Sequence, residues 1–223
     1  KQALRQLGVK PSDFTDEQRK ALDEQGFYIV ENAISADECK AMAETFEELH
    51  AAEAEQGGHE VHVEPGARRV SNIFNKTDAY DRCLELPSVL AAAHYLLGEI
   101  KLHGANLRDP VKGYGQQQFH ADVPKHFDDD WWVLNAIVLF DDMTLDNGPT
   151  RVVPGSHKWP PLNVPVVNQG DWEPRPLTPE EKALMPDDLD APYKGEVLVT
   201  APAGAAVIIN SSLWHSGTLK KTD

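Results

Sequence analysis

Gln116-Gln117-Gln118-Phe119-His120-Ala121-Asp122-Val123 is the stretch from which the rest of the chain can be read. Taken as a β-strand, it puts residues i and i+2 on one face, so Gln116, Gln118, His120 and Asp122 point one way and Gln117 and Phe119 the other. An imidazole and a carboxylate on the same face can meet one metal ion without bending the backbone, and His215, near the other end of the sequence, supplies a third donor. Two histidines and one carboxylate leave about three positions of an octahedral ion open, the arrangement expected of non-haem Fe(II) oxygenases. The pattern therefore predicts a reaction site rather than a metal staple.

Strand-sized runs continue on both sides. After Gly98 the texture is one of short β-rich segments divided by Gly, Pro and Asn, and the predicted strands are 100–107, 116–123, 132–140, 150–153, 196–201 and 205–210. Ahead of Gly98 the pattern is helical. Thr15 with Gln18, and Ser35 with Glu38, match the capping box, in which an N-cap hydroxyl and a side chain three residues on satisfy each other's backbone N–H. The first box predicts a helix that stops at Gly26; the second predicts one running to Glu55, with Ile34, Cys39, Met42, Phe46 and Leu49 along an apolar stripe. Phe27–Val30 is a short strand between them, and Pro87 and Gly98 frame a third helix. Residues 160–192 are proline-rich and acidic, an insertion with one short helix at Pro179–Leu184. Helices first and strands afterwards, with no repeat and no linker, predict a single α+β domain over 1–223. In it a mostly helical support layer, 1–98, braces a mainly β core, 99–223, of sandwich or jelly-roll type.

Composition narrows the partners. A formal charge of −15 gives no broad positive field for nucleic acid or an anionic membrane surface. The longest apolar run, 131–140, is strand-sized, against about 20 residues for a membrane span. Cys39 and Cys83 show no CxxC or framework spacing, which predicts free thiols in a reducing, cytoplasmic compartment. No secretory leader is read at the start, and residues ahead of Lys1 are expected. The expected partner is a small molecule; nothing in the sequence bears on oligomeric state.

His120-Ala121-Asp122, then Asn147-Gly148-Pro149-Thr150-Arg151-Val152-Val153-Pro154-Gly155-Ser156-His157, then Trp214-His215-Ser216-Gly217 together resemble the phytanoyl-CoA dioxygenase family, and the likeness extends to the early helix, Gly26-to-Val30 run and second helix. The resemblance implies a double-stranded β-helix (jelly roll, cupin-like) that binds Fe(II) and 2-oxoglutarate and uses O2 to oxidise a C–H bond, with release of succinate and CO2. By that likeness His120, Asp122 and His215 are the ligands, the keto acid takes two open positions and O2 the last. The family also anchors the distal carboxylate of 2-oxoglutarate with an arginine about eleven residues after the second histidine, where bidentate guanidinium–carboxylate pairing favours arginine. Counted from His215, that position falls beyond Asp223, and Lys220-Lys221-Thr222-Asp223 reads as the run leading into it. Halogenating relatives replace the carboxylate with a small residue, so Asp122 implies hydroxylation or another oxidative outcome. The expected substrate is a small, partly apolar metabolite.

Further contacts are expected around that site. Asn106 and Asn135 interrupt apolar strands whose faces the resemblance turns toward the iron, and Thr218 follows His215 closely; all three are candidates for the co-substrate, with satisfaction by backbone as the competing role. Gln118 is expected either to meet a ligand or to cap neighbouring backbone. Phe127 and Trp131, with Trp132 and Trp214, are candidates for an apolar substrate pocket, although alternation makes one of Trp131 and Trp132 core. His157 is expected to stabilise the Pro-Gly-Ser-His turn and His126 to sit on a loop. His59 and His62 beside Glu60 and Glu64 could form at most an adventitious metal site. Asp128-Asp129-Asp130 reads as a solvated turn and Arg68-Arg69 as surface ion pairing. Two other readings fit the same residues: a cupin-like metal dioxygenase that uses no 2-oxo acid, and a catalytically inactive β-sandwich that serves as a binding module.

Overall fold

A computed structural model of the chain describes residues 2–123, 125–160 and 176–223. A short α1 (Gln2–Gln6), which buries no residue, precedes α2 (Asp16–Gln25). Thr15 Oγ1 accepts the Gln18 N–H at 3.2 Å and Gln18 Oε1 accepts the Thr15 N–H at 2.9 Å, so the first orphan donors of the helix are satisfied as the sequence predicts. Gly26 ends α2 in the left-handed region, φ 84°. A Cβ there would lie 2.6 Å from His157 Nδ1 and 2.8 Å from Leu213, so this stop is also a close approach between the helical layer and the strand region. β1 (Phe27–Val30) follows directly, then α3 (Ala36–Glu53), capped by Ser35 and Glu38 and burying Cys39, Met42 and Phe46. β2 (Ala67–Val70) and α4 (Pro87–Leu97) complete the first part.

The second part supplies β3 (Leu107–Pro110), β4 (Leu134–Val138), β5 (Thr150–Val152), α5 (Pro179–Leu184), β6 (Val197–Leu198), β7 (Ala206–Asn210) and β8 (His215–Gly217). They form sheets ordered β1-β7-β4, β2-β3 and β6-β5-β8, and every pairing is antiparallel. All five residues of β7 are buried. Val207 and Ile209 share a core with Phe27, Leu139, Val152, Val199 and Leu213, which joins the first sheet to the third. Ile208 faces the other way, onto Phe14, Leu22, Tyr28 and Ala92 beside α2 and α4. Each such side chain contributes about 1.5–3 kcal/mol of burial, which is why an uninterrupted apolar strand occupies the centre. A separate core under α3 gathers Val70, Ile73, Tyr80, Leu86 and Leu107.

Several expected strands shrink. The run 116–123 is extended but forms no continuous ladder, because its successive donors are divided among three segments: Gln117 N–H to Gly217 and His120 to His215 on β8, Phe119 to Leu189, and Asp122 to Ser211. The His120–His215 bridge is regular pairing there. The strand expected at 100–107 lies instead at Leu107–Pro110, since its partner is β2, in register from Val70 opposite Leu107 to Ala67 opposite Pro110. β2 itself is masked by charge: Arg68 pairs with Glu47 at 2.7 Å, and Arg69 with the half-buried Glu64 at 2.9 Å. The division at residue 98 does not separate helices from sheet, because β1 is hydrogen-bonded to β7 and β2 to β3. Of the insertion, α5 matches its expected bounds, and residues 161–175 lie outside the described part. Among the described residues, no helix is long and apolar enough to cross a membrane.

Candidate metal centre

β8 carries His215 and is held on one side by β5, with Val152 opposite His215 and Arg151 opposite Ser216. On its other side His120 and His215 exchange both backbone hydrogen bonds at 3.0 Å. The two imidazoles therefore leave neighbouring backbones toward one point, their ring centroids 4.6 Å apart. Asp122, two residues beyond His120, brings Oδ1 to 3.8 Å from His120 Nε2 and 3.6 Å from His215 Nε2. The three donor atoms lie within 4.8 Å of one another, the one such group among the described residues.

The hydrogen-bond partners of these rings decide whether the donors suit an ion. His120 Nδ1 faces the Gln118 carbonyl at 2.7 Å and His215 Nδ1 faces the Leu213 carbonyl at 2.8 Å. A carbonyl only accepts, so both Nδ1 atoms carry the hydrogen and both Nε2 atoms turn a lone pair inward. Asn135 Nδ2 donates to Asp122 Oδ2, leaving Oδ1 as the oxygen that faces the imidazoles. Burial, and the neighbouring His215, hold His120 down at about 4. Burial also disfavours charge on His215, but its hydrogen bond and attraction to Asp122 outweigh this and raise its pKa. Burial raises Asp122, yet hydrogen bonds from His215 and Asn135 and the two imidazoles bring it below the ordinary carboxylate range. The protein thus keeps a buried carboxylate ionised beside one neutral and one readily protonated imidazole, and a divalent cation fits this set by taking the place of that proton.

The other expected contacts fare unevenly. Asn135, on β4 opposite Ile209, reaches Asp122 rather than open space. Asn106 is exposed and accepts the Asn72 N–H at 3.2 Å; the Thr218 hydroxyl donates to the Pro149 carbonyl at 2.7 Å. Gln118 Nε2 donates to Asp190 Oδ2 at 3.3 Å, on the limb returning from the insertion. Trp131 is half-buried, 5.6 Å from the His157 ring, with Lys125 Nζ 5.4 Å from its own ring centre, and Trp132 is exposed; both precede β4, so strand alternation does not govern them and neither is core. Phe127 is exposed. Trp214 is buried, in the cluster of Phe119, Ala121 and Val153. His157 is buried, and its Nε2 lies 3.1 Å from the Asp23 carbonyl, so its side chain meets α2 rather than the turn that carries it. His126 binds Asp130, and Glu60 and Glu64 are committed to Asn72, Lys76, Arg69 and Arg108 rather than to His59 and His62. Asp130 is buried, so that acidic turn is not wholly solvated.

Two arginines near the centre carry little mark in the sequence. A charge between Thr150 and Val152 in a short apolar strand is the available signal for Arg151, which is 2% exposed. Arg108 lies against Gly217, where a Cβ would stand 3.0 Å from its Nη2, and pairs with Glu64.

Two imidazoles and one carboxylate, gathered by β8 and the extended run bridged to it, form a candidate mononuclear metal site in a protein of mixed helix and sheet. The chain belongs to the phytanoyl-CoA dioxygenase (PhyH) family, whose sequence profile matches residues 22–223. It is 30% identical over 152 residues to ectoine dioxygenase of Bordetella bronchiseptica, covering 64% of this chain and 49% of that protein. The chain thus spans about half the length of curated relatives it matches. Its fold is that of EctD from S. alaskensis with bound Fe (TM-score 0.70, 21% identity, 96% of this chain and 74% of that one) and of HygX from Streptomyces hygroscopicus with nickel and 2-oxoglutarate bound (TM-score 0.68, 17% identity, 94% and 82%).

Proposed function

We propose that the protein is an Fe(II)- and 2-oxoglutarate-dependent dioxygenase that hydroxylates a small, partly apolar molecule and releases succinate and CO2. In this reading its sheets form a jelly roll, or double-stranded β-helix, and His120, Asp122 and His215 hold the iron. The observation that carries the reading is the pairing of both Nδ1 atoms with backbone carbonyls, which commits both Nε2 lone pairs to the point that Asp122 Oδ1 also faces. Iron in this donor set supplies the oxygen chemistry coupled to decarboxylation of the keto acid. The chain's own residues supply geometry. Asn135 fixes the carboxylate so that one oxygen is left for the ion. Gln118, tied to Asp190, borders the substrate side, and Phe127 and Trp131 offer it apolar surface.

The test is anaerobic addition of Fe(II) and 2-oxoglutarate to the purified protein, followed by oxygen. A visible charge-transfer band before oxygen, and succinate that requires iron, oxygen and keto acid together, are the expected results. Iron bound in equimolar amount with neither band nor succinate would overturn the proposal.

A further inference from the structure

Behind the metal donors, one buried side chain touches both histidine-bearing runs. The His120–His215 bridge places Phe119 across from Ser216, and both of these residues are fully buried on the side away from the donors. Arg151, opposite Ser216 on β5, lies over that pair. Its guanidinium carbon is 3.8 Å from the centre of the Phe119 ring, and its Nε donates to Ser216 Oγ at 2.6 Å. Nη2 donates to the Leu189 carbonyl at 2.9 Å and the Gln117 carbonyl at 3.4 Å; Nη1 donates to the Ala191 carbonyl at 2.8 Å and meets Glu196 Oε2 at 3.5 Å. The Phe119 N–H also donates to the Leu189 carbonyl, so the limb returning from the insertion is fastened to the same spot.

We infer that Arg151 is a positioning residue for the metal centre, setting the separation and tilt of the runs that carry His120 and His215 from the side opposite the donors. The inference rests on the reading of those residues as a metal site. The run 116–123 is joined to β8 by the His120–His215 exchange and the Gln117–Gly217 contacts rather than by a continuous ladder, so a cross-link behind the bridge bears directly on its tilt and spacing. A planar group with five donors that stacks on one run and hydrogen-bonds the other is such a cross-link. Lysine keeps the charge but has neither the plane nor the fork. The step involves no contact between Arg151 and the ion, so its effect is on how well the donors converge.

The experiment titrates Ni(II) into the full chain by calorimetry and records Co(II) visible absorption as a report on ligand geometry. It uses wild type, Arg151→Lys, Ser216→Ala and, as a control for general destabilisation, Leu22→Ala in the separate core beside α2. Arg151→Lys is expected to weaken Ni(II) binding about ten-fold or more and to alter the Co(II) bands, as loss of outer-shell support does at other metal sites. Ser216→Ala should produce a smaller change in the same direction. Leu22→Ala should lower Tm and leave Ni(II) affinity and the Co(II) spectrum unmoved. Arg151→Lys with wild-type affinity and spectrum overturns the inference. If that variant does not fold, unchanged affinity in Ser216→Ala overturns it alone. A wild-type chain that binds no Ni(II) sinks the metal reading itself, and the inference falls with it, an outcome visible in the wild-type arm before any variant is compared.

Discussion

Behind His120 and His215 the chain is closed: Phe119, Arg151, Trp214 and Ser216 are buried and cross-linked. Beyond Asp122 it is open, with Phe127 and Trp132 at 64% and 63% exposure beside the exposed Asp128 and Asp129. On the proposed reading the closed side fixes donor geometry, where a shift of an ångström matters, while the open side consists of loop, where side chains can change without moving the ligands. Removing a donor should show the contrast most sharply. His120→Ala or Asp122→Ala is expected to abolish measurable Ni(II) binding and all 2-oxoglutarate-dependent succinate formation, while circular dichroism stays that of the wild type. Either variant retaining stoichiometric tight binding would mean that the ion sits elsewhere.

The closed side also carries a pH liability. Burial holds the His157 pKa down at about 4, against an ordinary value of 6.5. A histidine depressed in the folded state leaves stability intact above the unfolded value. Stability is then lost as pH falls from 6.5 toward 4, because the unfolded chain takes up the proton first. The loss is on the order of 3 kcal/mol, from about 1.4 kcal/mol for each pH unit separating the folded and unfolded values. Urea unfolding of the metal-free chain at a series of pH values should show a slope to which His120 also contributes, and His157→Gln should make it shallower without abolishing it. An equal slope in the variant would assign the acid sensitivity to other groups.

A smaller effect is expected at the junction of the two sides. Asn135→Ala removes the donor to Asp122 Oδ2, freeing the carboxylate to rotate. Ni(II) affinity should fall about ten-fold, with Tm of the metal-free chain little changed. Affinity equal to wild type would leave Asn135 for the co-substrate role suggested by its place in the strand.

How much of this is legible in the sequence follows from where each signal is stored. Thr15, Ser35 and Pro87 announce their helices because a cap is a local arrangement among residues three apart. β7 announces itself because a strand buried on both faces favours an apolar run, here Ala206–Ile209 with the polar Asn210 only at its end. His120, Asp122 and His215 are readable as donors from residue type, and their convergence as far as strand phase carries. β2 is not readable, because its two arginines are neutralised by Glu47, Glu64 and Asp109, brought in from other segments. Nor is the partition of 116–123 among Gly217, Leu189, His215 and Ser211, since nothing within that run records which neighbour each N–H will find. Arg151 falls in the same class: its type hints at a buried charge, but its partners come from three separate segments.

On the open side the expected changes are smallest in stability and most specific in function. Trp132 is exposed yet not loose, because Asp130 accepts its indole N–H and, at 2.9 Å, the His126 N–H. An aromatic face held still in water invites a ligand, since its ordering cost has already been met. Phe127→Ala should leave the unfolding free energy within about 0.5 kcal/mol of wild type, as substitutions of exposed side chains generally do. Trp132→Ala, which removes a donor from the buried Asp130, should cost about 1 kcal/mol or somewhat more. Ni(II) affinity and the slow conversion of 2-oxoglutarate without substrate should also hold. What should fall is the stimulation of succinate release by whichever small molecules a substrate screen finds active, through KM more than kcat. If both variants respond to those molecules as the wild type does, the aromatic pair lies outside the substrate's path, and recognition must come from the limb around Asp190 that Gln118 contacts.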